Sequence, residues 1–343
     1  MTDKSILYNL ADELYRLGPW HWMDETQLIG LRHPDTGELG WMSMMGAAGN
    51  HTSLAVYVGE EPVSRFNVIQ QTAGDEGGLA EDDALRLIME AGQLQVSFER
   101  RDELFKDELA EIKSLGRKYR GDNWPCFRSF HAGRAPKRAT EEEIVWLACA
   151  LENLAAVAPA LRDDPFAILQ TVRGETLVLT RELAEGNWRD AWTPEDTRTY
   201  QWPEPEPEAF MIEKVRRNPK ALDVECVFRF FPSPIGAPGK SAVFPYVLLC
   251  VDRASGFVLG FELLSVESQS FAEMIASVPG CFLRLLDRHN VRPVSIRVPN
   301  ASTHALLTRT AGALGIALQQ SRHLPALTEA LDSMMGFMGG RVN

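Results

Sequence analysis

Apolar residues near the N-terminus recur at helical spacing and then give way to short runs typical of strands. The helical stripe consists of Leu7, Leu10, Leu14 and Leu17. Gly18-Pro19 follows at once and is expected to end this helix. Strand-like runs occupy residues 28–31, 39–45 and 53–58, and the first two flank turn residues at 33–37. The pattern predicts a helix followed by a small antiparallel sheet.

Helical spacing dominates the chain between residues 79 and 165. We predict a helix at 79–91, a strand at 94–98, a second helix marked by Phe105, Leu109, Ile112 and Tyr119, and then a loop. Thr140 and Glu143 form a capping box, in which both side chains satisfy amide groups at the start of a helix. That helix is expected to end at Pro159 and Pro165. Residues 1–165 are interpreted as an N-terminal α+β domain.

Proline and glutamate interrupt the pattern in the middle of the chain. Residues 176–180 and 188–192 predict two short strands, and residues 202–208 are too rich in proline and acid to join a sheet. We therefore interpret residues 166–218 as a short hairpin and an acidic, proline-rich linker. The C-terminal domain is placed at 219–343.

The C-terminal domain has the most regular pattern. Predicted strands lie at 224–231, 244–251, 257–264, 293–298 and 316–320, and predicted helices at 271–289, 303–314 and 324–335. The first of these helices is expected to break at Pro279-Gly280. The element order is βββαβαβα. Because crossover helices connect the later strands, we expect one mixed sheet of about five strands.

This element order resembles that of ribonuclease H-like and integrase-type cores. Residues 251–260, Val-Asp-Arg-Ala-Ser-Gly-Phe-Val-Leu-Gly, resemble the hairpin between the second and third strands of such cores. Another α/β sandwich is the alternative for this domain. The predicted fold class is α+β, with an N-terminal antiparallel-sheet α+β domain followed by a ribonuclease H-like α/β domain.

Nucleases of this fold hold two divalent ions with carboxylates on the first strand, at the end of the fourth strand and on the last helix. Residues 226–231 of the first strand contain no carboxylate, and the fourth strand leads to Asn300 where an Asp is expected. We therefore expect a catalytically dead core with no catalytic or metal-binding residues. The alternative is a metal-dependent nuclease or transposase-derived nucleic-acid-processing enzyme. It requires convergence of Asp252, Glu262, Glu329 and Asp332.

Composition narrows the class of protein further. The 343 residues are 45% hydrophobic, enough to bury an ordinary core in about two domains. The net charge is -12, and residues 1–220 account for -13 of it. An acidic surface disfavours indiscriminate nucleic-acid binding, so any such role requires a local basic patch.

The cysteine pattern indicates no particular chemistry. The N-terminus and the length of the apolar runs bear on the location of the protein. The five cysteines include no C-x-x-C pair, so neither a zinc site nor a disulfide framework is indicated. No apolar run approaches the roughly 18 residues of a membrane span, and the N-terminus lacks the pattern of a secretory signal. We expect a cytoplasmic protein with no membrane partner and no cofactor.

A local basic patch does occur, at residues 116–138, which we call the basic–aromatic segment. Its cations are Arg117, Lys118, Arg120, Arg128, Arg134, Lys137 and Arg138, against one acid, Asp122. Its aromatic residues are Tyr119, Trp124, Phe127 and Phe130, and His131 lies among them. Cations that neutralise phosphates beside rings that stack on bases are what nucleic-acid binding requires. The alternative is a structural clasp, in which the rings are core residues and the cations pair with acids of the same domain.

The chain also resembles an uncharacterised bacterial family that pairs two domains of unknown function. The resemblance rests on residues 18–22 (Gly-Pro-Trp-His-Trp), 54–59 (Leu-Ala-Val-Tyr-Val-Gly), 124–130 (Trp-Pro-Cys-Phe-Arg-Ser-Phe) and 244–249 (Phe-Pro-Tyr-Val-Leu-Leu). It implies an α+β domain followed by an α/β domain and implies no activity. We expect a non-enzymatic binding or regulatory protein, with a nucleic acid or a protein as partner of the basic–aromatic segment.

Overall fold

The computed structural model describes residues 4–47, 49, 51–72, 79–231, 233–236 and 242–339. These residues form two compact units. The first unit contains the described residues up to 72 and residues 88–200. The second contains residues 79–87 and the described residues from 201 onward. Both units combine helices with a mixed sheet, so the predicted α+β class is confirmed.

One large sheet organises the first unit. Its strands are β1 Ile29–Arg32, β2 Leu39–Met45, β3 Ser53–Val58, β4 Gln93–Glu99, β5 Trp124–Phe130, β6 Lys137–Arg138, β7 Leu169–Val172, β8 Glu175–Ala184 and β9 Asn187–Pro194. They follow the order β6-β5-β4-β3-β2-β1-β8-β7, with β9 paired to β8. All pairs are antiparallel except β1–β8, so the sheet is mixed and larger than the small antiparallel sheet expected.

The last three strands of this sheet come from the region interpreted as hairpin and linker. Strand β8 joins β1 in parallel, with Gly30 opposite Thr180. A Cβ atom at Gly30 would lie 2.3 Å from Oγ1 of Thr180, so glycine is required for this close approach. The hairpin was predicted, but its membership of the N-terminal sheet was not, because pairing between distant strands leaves no local pattern.

Helices cover both faces of the first sheet. They are α1 Lys4–Leu17, α2 Glu60–Thr72, α4 Lys106–Ser114 and α5 Glu141–Asp163. Helix α3, Glu81–Glu90, begins in the second unit and ends in the first. Leu7 and Leu14 of α1 pack with Leu151 of α5 in the larger core. Val63 and Phe66 of α2 pack on the opposite face, against residues such as Trp41.

Helix α5 differs from expectation at its C-terminal end. It continues through Pro159 to Asp163, because burial of Val157, Ala158 and Leu161 holds the last turns against the core. By length and composition α5 could cross a membrane, although half of its most apolar window is buried in this structure. Leu147, Leu151 and Leu154 of this helix belong to the core of the first unit.

Local structure in the basic–aromatic segment also differs from the predicted loop. Helix α4 ends at Ser114, so Tyr119 lies beyond it. Residues 124–130 form strand β5, which pairs along its whole length with β4. Phe127 and Cys126 are buried in the core, and this burial explains why the segment is extended.

The second unit contains the predicted five-stranded mixed sheet. Its strands are β10 Asp223–Phe230, β11 Tyr246–Asp252, β12 Val258–Leu264, β13 Ser295–Val298 and β14 Ala317–Gln320, in the order β12-β11-β10-β13-β14. Strand β11 pairs with β10 and β12 in antiparallel orientation, whereas β10 pairs in parallel with β13 and β13 with β14. The prediction of one mixed sheet is confirmed.

Helices α7 Phe271–Arg288, α8 Ala301–Leu314 and α9 Pro325–Gly339 pack on this sheet, and α6 Ala209–Arg216 packs on α7 and α8. Helix α7 passes Pro279 without the predicted break, because Val278, Phe282 and Leu286 are buried and tertiary packing outweighs the local cost of the proline. Helix α9 covers the other face, where Leu324 and Leu327 pack with Val227 and Leu249.

Candidate functional site

Arg128 is the most deeply engaged cation of the basic–aromatic segment. Its Nε and Nη2 atoms donate to the two carboxylate oxygens of Glu108 on α4, at 3.1 and 2.9 Å. The guanidinium also lies 4.4 Å from the ring centroid of Phe105. Only 12% of the Arg128 side chain and 4% of the Glu108 side chain are exposed. A bidentate pair of this kind fixes strand β5 to α4 and leaves little of the cation for a ligand.

Arg138 is committed in the same way, to Glu111. Nη2 of Arg138 and Nζ of Lys4 donate to the same oxygen of Glu111, at 2.7 and 2.5 Å, and the Tyr8 hydroxyl donates to the other at 3.2 Å. Burial by itself raises the pKa of Glu111, but these hydrogen bonds outweigh burial and hold the pKa below its ordinary value. Burial, followed by the charge of Glu111, raises the pKa of Tyr8. The surrounding cavity of about 270 Å³ therefore contains charges that already neutralise each other.

Arg117 is also paired with groups of the first unit. It donates to the carboxylate of Asp12 at 2.6 Å and to the main-chain oxygen of Ser5 at 3.0 Å, both on α1. Arg117, Arg128 and Arg138 thus fasten β5, β6 and the preceding loop to helices of the first unit. This differs from the expectation that they face a ligand, and the reason is that acids distant in sequence lie beside them in the fold.

Lys118 and Arg120 remain available at the start of the segment. Both side chains are exposed, and neither forms an ion pair with any residue that the structure describes. Trp124 is half-buried nearby, with its ring centroid 5.7 Å from that of Tyr119. Burial is the largest cause that raises the pKa of Tyr119 to about 12. This end of the segment presents two cations beside two partly accessible rings.

The other end of the segment collects Phe130, His131, Arg134 and Lys137. Phe130, His131 and Lys137 are half-buried and Arg134 is exposed. Burial, followed by the charge of Lys137, lowers the pKa of His131, so its imidazole is neutral at pH 7. A seven-residue strand separates this end from the Lys118 end by about 20 Å. The structure therefore divides the predicted patch into two smaller surfaces.

A serine, a histidine and a glutamate meet at this second surface. Oγ of Ser129 lies 2.7 Å from Nε2 of His131 and 2.8 Å from Oε1 of Glu143. The hydroxyl has one proton, which goes to the carboxylate, so Ser129 accepts from His131 and is not activated by it. Ser129 is also fully buried. The three groups form a hydrogen-bond network and not a nucleophilic triad.

Glu143 takes its position from the capping box of α5. Its Oε2 accepts the main-chain N–H of Thr140 at 2.7 Å, and its own N–H donates to Oγ1 of Thr140 at 3.3 Å. Burial raises the pKa of Glu143, but hydrogen bonds from Thr140 and Ser129 outweigh it and lower the pKa overall. The predicted capping box is confirmed, and the structure adds a second role that the sequence did not indicate.

The carboxylates proposed for a metal site in the second unit do not converge. Asp252 accepts from the main chain and hydroxyl of Ser255 in the turn after β11. Glu262 pairs with Arg288 of α7 at 3.0 Å. Glu329 and Asp332 are exposed on α9, which covers the other face of the sheet. Among the described residues, no group of three or more His, Cys, Asp or Glu residues is arranged to hold a metal ion.

Three polar residues near these positions act as helix caps instead. Oδ1 of Asn300, after β13, accepts the N–H of Thr303 at 3.0 Å and caps α8. Oδ2 of Asp83 accepts the main-chain N–H of Ala301, the first residue of α8, at 2.9 Å. Glu225 on β10 accepts the N–H of Leu327 in α9 at 2.9 Å. No local pattern in the sequence marks Glu225 or Asp83, because their partners lie far away along the chain.

The fold thus defines a two-unit α+β protein. Comparison with protein families agrees with this division. A model for a domain of unknown function (DUF7309) matches residues 5–179, more than half of the chain, so the chain belongs to this family. A second domain of unknown function (DUF6930) matches residues 211–335. No curated protein matches the chain.

Proposed function

We propose that the protein is a non-enzymatic nucleic-acid-binding protein. Its second unit is a ribonuclease H-like scaffold without a metal site, and its first unit supplies the binding surface. The sheet of three antiparallel strands followed by two parallel strands supports this scaffold, because it fits the βββαβαβα order of such cores. The element order carries no function by itself.

One observation carries the non-enzymatic part of the proposal. The polar groups nearest to the required metal-ligand positions, Glu225 on the first strand and Asn300 after the fourth, hold the N-termini of α9 and α8. Glu225 is fully buried, and its second oxygen lies 3.6 Å from Nε of Arg253. A carboxylate that caps a helix and faces a guanidinium has no geometry left for a divalent ion.

The binding part rests on cations at the two ends of the basic–aromatic segment. Lys118 and Arg120 are exposed at one end, which also contains Trp124, and exposed Arg134 and half-buried Lys137 lie at the other, which also contains Phe130. Two cationic surfaces separated by one strand can contact different phosphates of one extended nucleic-acid strand, while rings in the same segment stack on bases. The rest of residues 1–220 is strongly acidic and repels phosphates. A nucleic acid is therefore expected to approach this part of the protein at these two surfaces.

The test combines a cleavage assay with a binding assay on the full-length protein. We expect no cleavage of single-stranded DNA, duplex DNA or RNA with MgCl₂ or MnCl₂. Single-stranded oligonucleotides should bind, and their affinity should fall with salt by about 0.7 in log-log slope for each phosphate contact. The double variant Lys118→Ala/Arg120→Ala should reduce this slope, whereas Arg322→Ala, an exposed cation of the second unit, should not.

Two results would contradict the proposal. Metal-dependent cleavage that disappears in Glu329→Gln would establish the nuclease alternative. Failure of the wild-type protein to bind any oligonucleotide at low salt would leave the basic–aromatic segment with a purely structural role.

A further inference from the structure

A small cavity opens beside the C-terminal end of β5. Its volume is about 220 Å³, below the roughly 300–1,000 Å³ of pockets that hold drug-sized ligands, so it suits a single ring system. It is lined by Val58, Pro62, Gly92, Gln93, Leu94, Phe130, His131, Glu143 and Trp146. All these residues belong to the first unit.

Two aromatic residues line the cavity. Trp146 of α5 is 6% exposed and is held in place by the His33 ring, 4.9 Å away between centroids, and by Gly40, where any Cβ atom would lie 2.8 Å from the indole. Phe130, at the end of β5, is only half-buried. A rigid indole and an accessible phenyl ring favour a planar aromatic ligand, because both can stack on it.

One residue of the cavity lining, Gln93, has a buried polar atom without a partner among the described residues. Oε1 of Gln93 is buried, yet no hydrogen bond reaches it from any residue that the structure describes. Gln93 lies directly opposite Phe130 in the β4–β5 pair, so the two residues lie at the same end of these strands. A buried acceptor without a donor destabilises the protein, and a ligand N–H group that reaches it would supply the missing hydrogen bond.

The network of Ser129, His131 and Glu143 adds directional groups. Since Ser129 donates to Glu143, Nε2 of His131 carries the proton that Ser129 accepts, and Nδ1 of the neutral ring is an acceptor. Gln93 and His131 thus both offer acceptors at the cavity. Exocyclic amino and ring N–H groups of nucleobases are matching donors.

Two cations lie near His131, which lines the cavity. Lys137 lies opposite Ser129 in the β5–β6 pair, on the strand next to the network. Lys137 and Arg134 are both close enough to His131 to influence its charge. Lys137 forms no ion pair with a described residue, so its ammonium group can contact a phosphate attached to a ring in the cavity.

We propose that this cavity binds one nucleobase, stacked on Phe130 and Trp146 with an N–H group on Gln93, while its phosphate contacts Lys137. This inference rests on the proposed function and specifies how the binding surface recognises its ligand. The base and phosphate come either from a free nucleoside monophosphate or from single-stranded nucleic acid.

The experiment measures binding of full-length protein to the four ribonucleoside monophosphates and to single-stranded 12-mers of DNA and RNA. Phe130→Ala should weaken binding by roughly 5- to 100-fold, the range for loss of one stacked base. Phe166→Ala is the matched control, because this phenyl ring is 70% exposed in the same unit and lies outside the cavity. Binding of monophosphates would assign the source to free nucleotides, and binding of 12-mers alone would assign it to strands.

Gln93→Leu separates ligand recognition from structural support. A structural role for Gln93 predicts a lower Tm, whereas our proposal predicts an unchanged or higher Tm, because an unpaired buried acceptor is removed, together with at least 5-fold weaker binding. Unchanged binding in both Phe130→Ala and Gln93→Leu would overturn the inference. The proposed function would survive that result if Lys118→Ala/Arg120→Ala still weakened binding, and both would fall if the wild-type protein bound neither probe.

Discussion

Oε2 of Glu225 accepts the main-chain N–H of Leu327 at 2.9 Å, across 102 residues of sequence. Glu225 stands on the first strand of the second unit and Leu327 in the first turn of its last helix. A carboxylate at a helix N-terminus satisfies an otherwise unpaired amide and is favoured by the helix dipole. This contact gives a buried carboxylate of the first strand a structural role at the start of the last helix.

The first prediction concerns this cap. Glu225→Ala should destabilise the second unit by about 1–3 kcal/mol, because the buried amide of Leu327 loses its acceptor. Amide hydrogen exchange should show the loss first at the start of α9. Glu329→Gln is the control on the same helix, since Glu329 is exposed, and it should change stability by less than about 0.5 kcal/mol. Equal effects of the two substitutions would argue against the capping role.

The second prediction concerns the buried pair of Arg128 and Glu108. Arg128→Ala should lower the free energy of unfolding by about 3–5 kcal/mol, because it leaves the carboxylate of Glu108 buried without its cation. Urea denaturation followed by tryptophan fluorescence would measure this. Arg120→Ala, an exposed neighbour in the same segment, should be nearly neutral for stability. A stable Arg128→Ala protein with weakened oligonucleotide binding would instead place Arg128 in the binding surface.

The third prediction uses the pKa of Glu111, which Lys4 and Arg138 hold below its ordinary value of 4.5 against the effect of burial. A carboxyl group with a lowered folded-state pKa contributes stability that is complete above the unfolded-state pKa and is lost as the pH falls through the folded-state value. Glu111→Gln should therefore be less stable than wild type at pH 6. This difference should shrink as the pH falls below about 4.5. A difference independent of pH between 3 and 6 would contradict the linkage.

The fourth prediction tests the parallel junction of β1 and β8. Gly30→Ala should cost about 1–3 kcal/mol, since the new methyl group would meet the buried hydroxyl of Thr180 at 2.3 Å. Thr180→Ala should relieve the clash, so the double variant should be less unstable than the sum of the single changes. Calorimetry of the four proteins would provide the coupling energy. Simple additivity would show that the two positions do not meet.

Local signals in the sequence predicted much of the fold. The capping box of Thr140 and Glu143 fixed the start of α5, because its partners lie within one turn of each other. The βββαβαβα order of the second unit and its single mixed sheet were likewise predicted from periodicity and turns. Prolines were the exception: α5 and α7 continue through Pro159 and Pro279, since burial of neighbouring apolar residues outweighed a local preference.

The sequence predicted which types of residue the candidate site contains, but not how they are arranged in space. The sequence located a run of cations and rings at 116–138, but it could not indicate that Glu108 would neutralise Arg128 or that Asp12 would neutralise Arg117. Nor could it indicate that Trp146 and Gln93 would meet Phe130 at one cavity. These contacts join residues that are far apart along the chain, and no local pattern encodes them.

The sequence by itself determined which elements form and which chemical groups the segment contains, because both depend on neighbours along the chain. The tertiary structure alone decided which of those groups are buried with a partner and which remain accessible, because charge pairing and burial depend on neighbours in space.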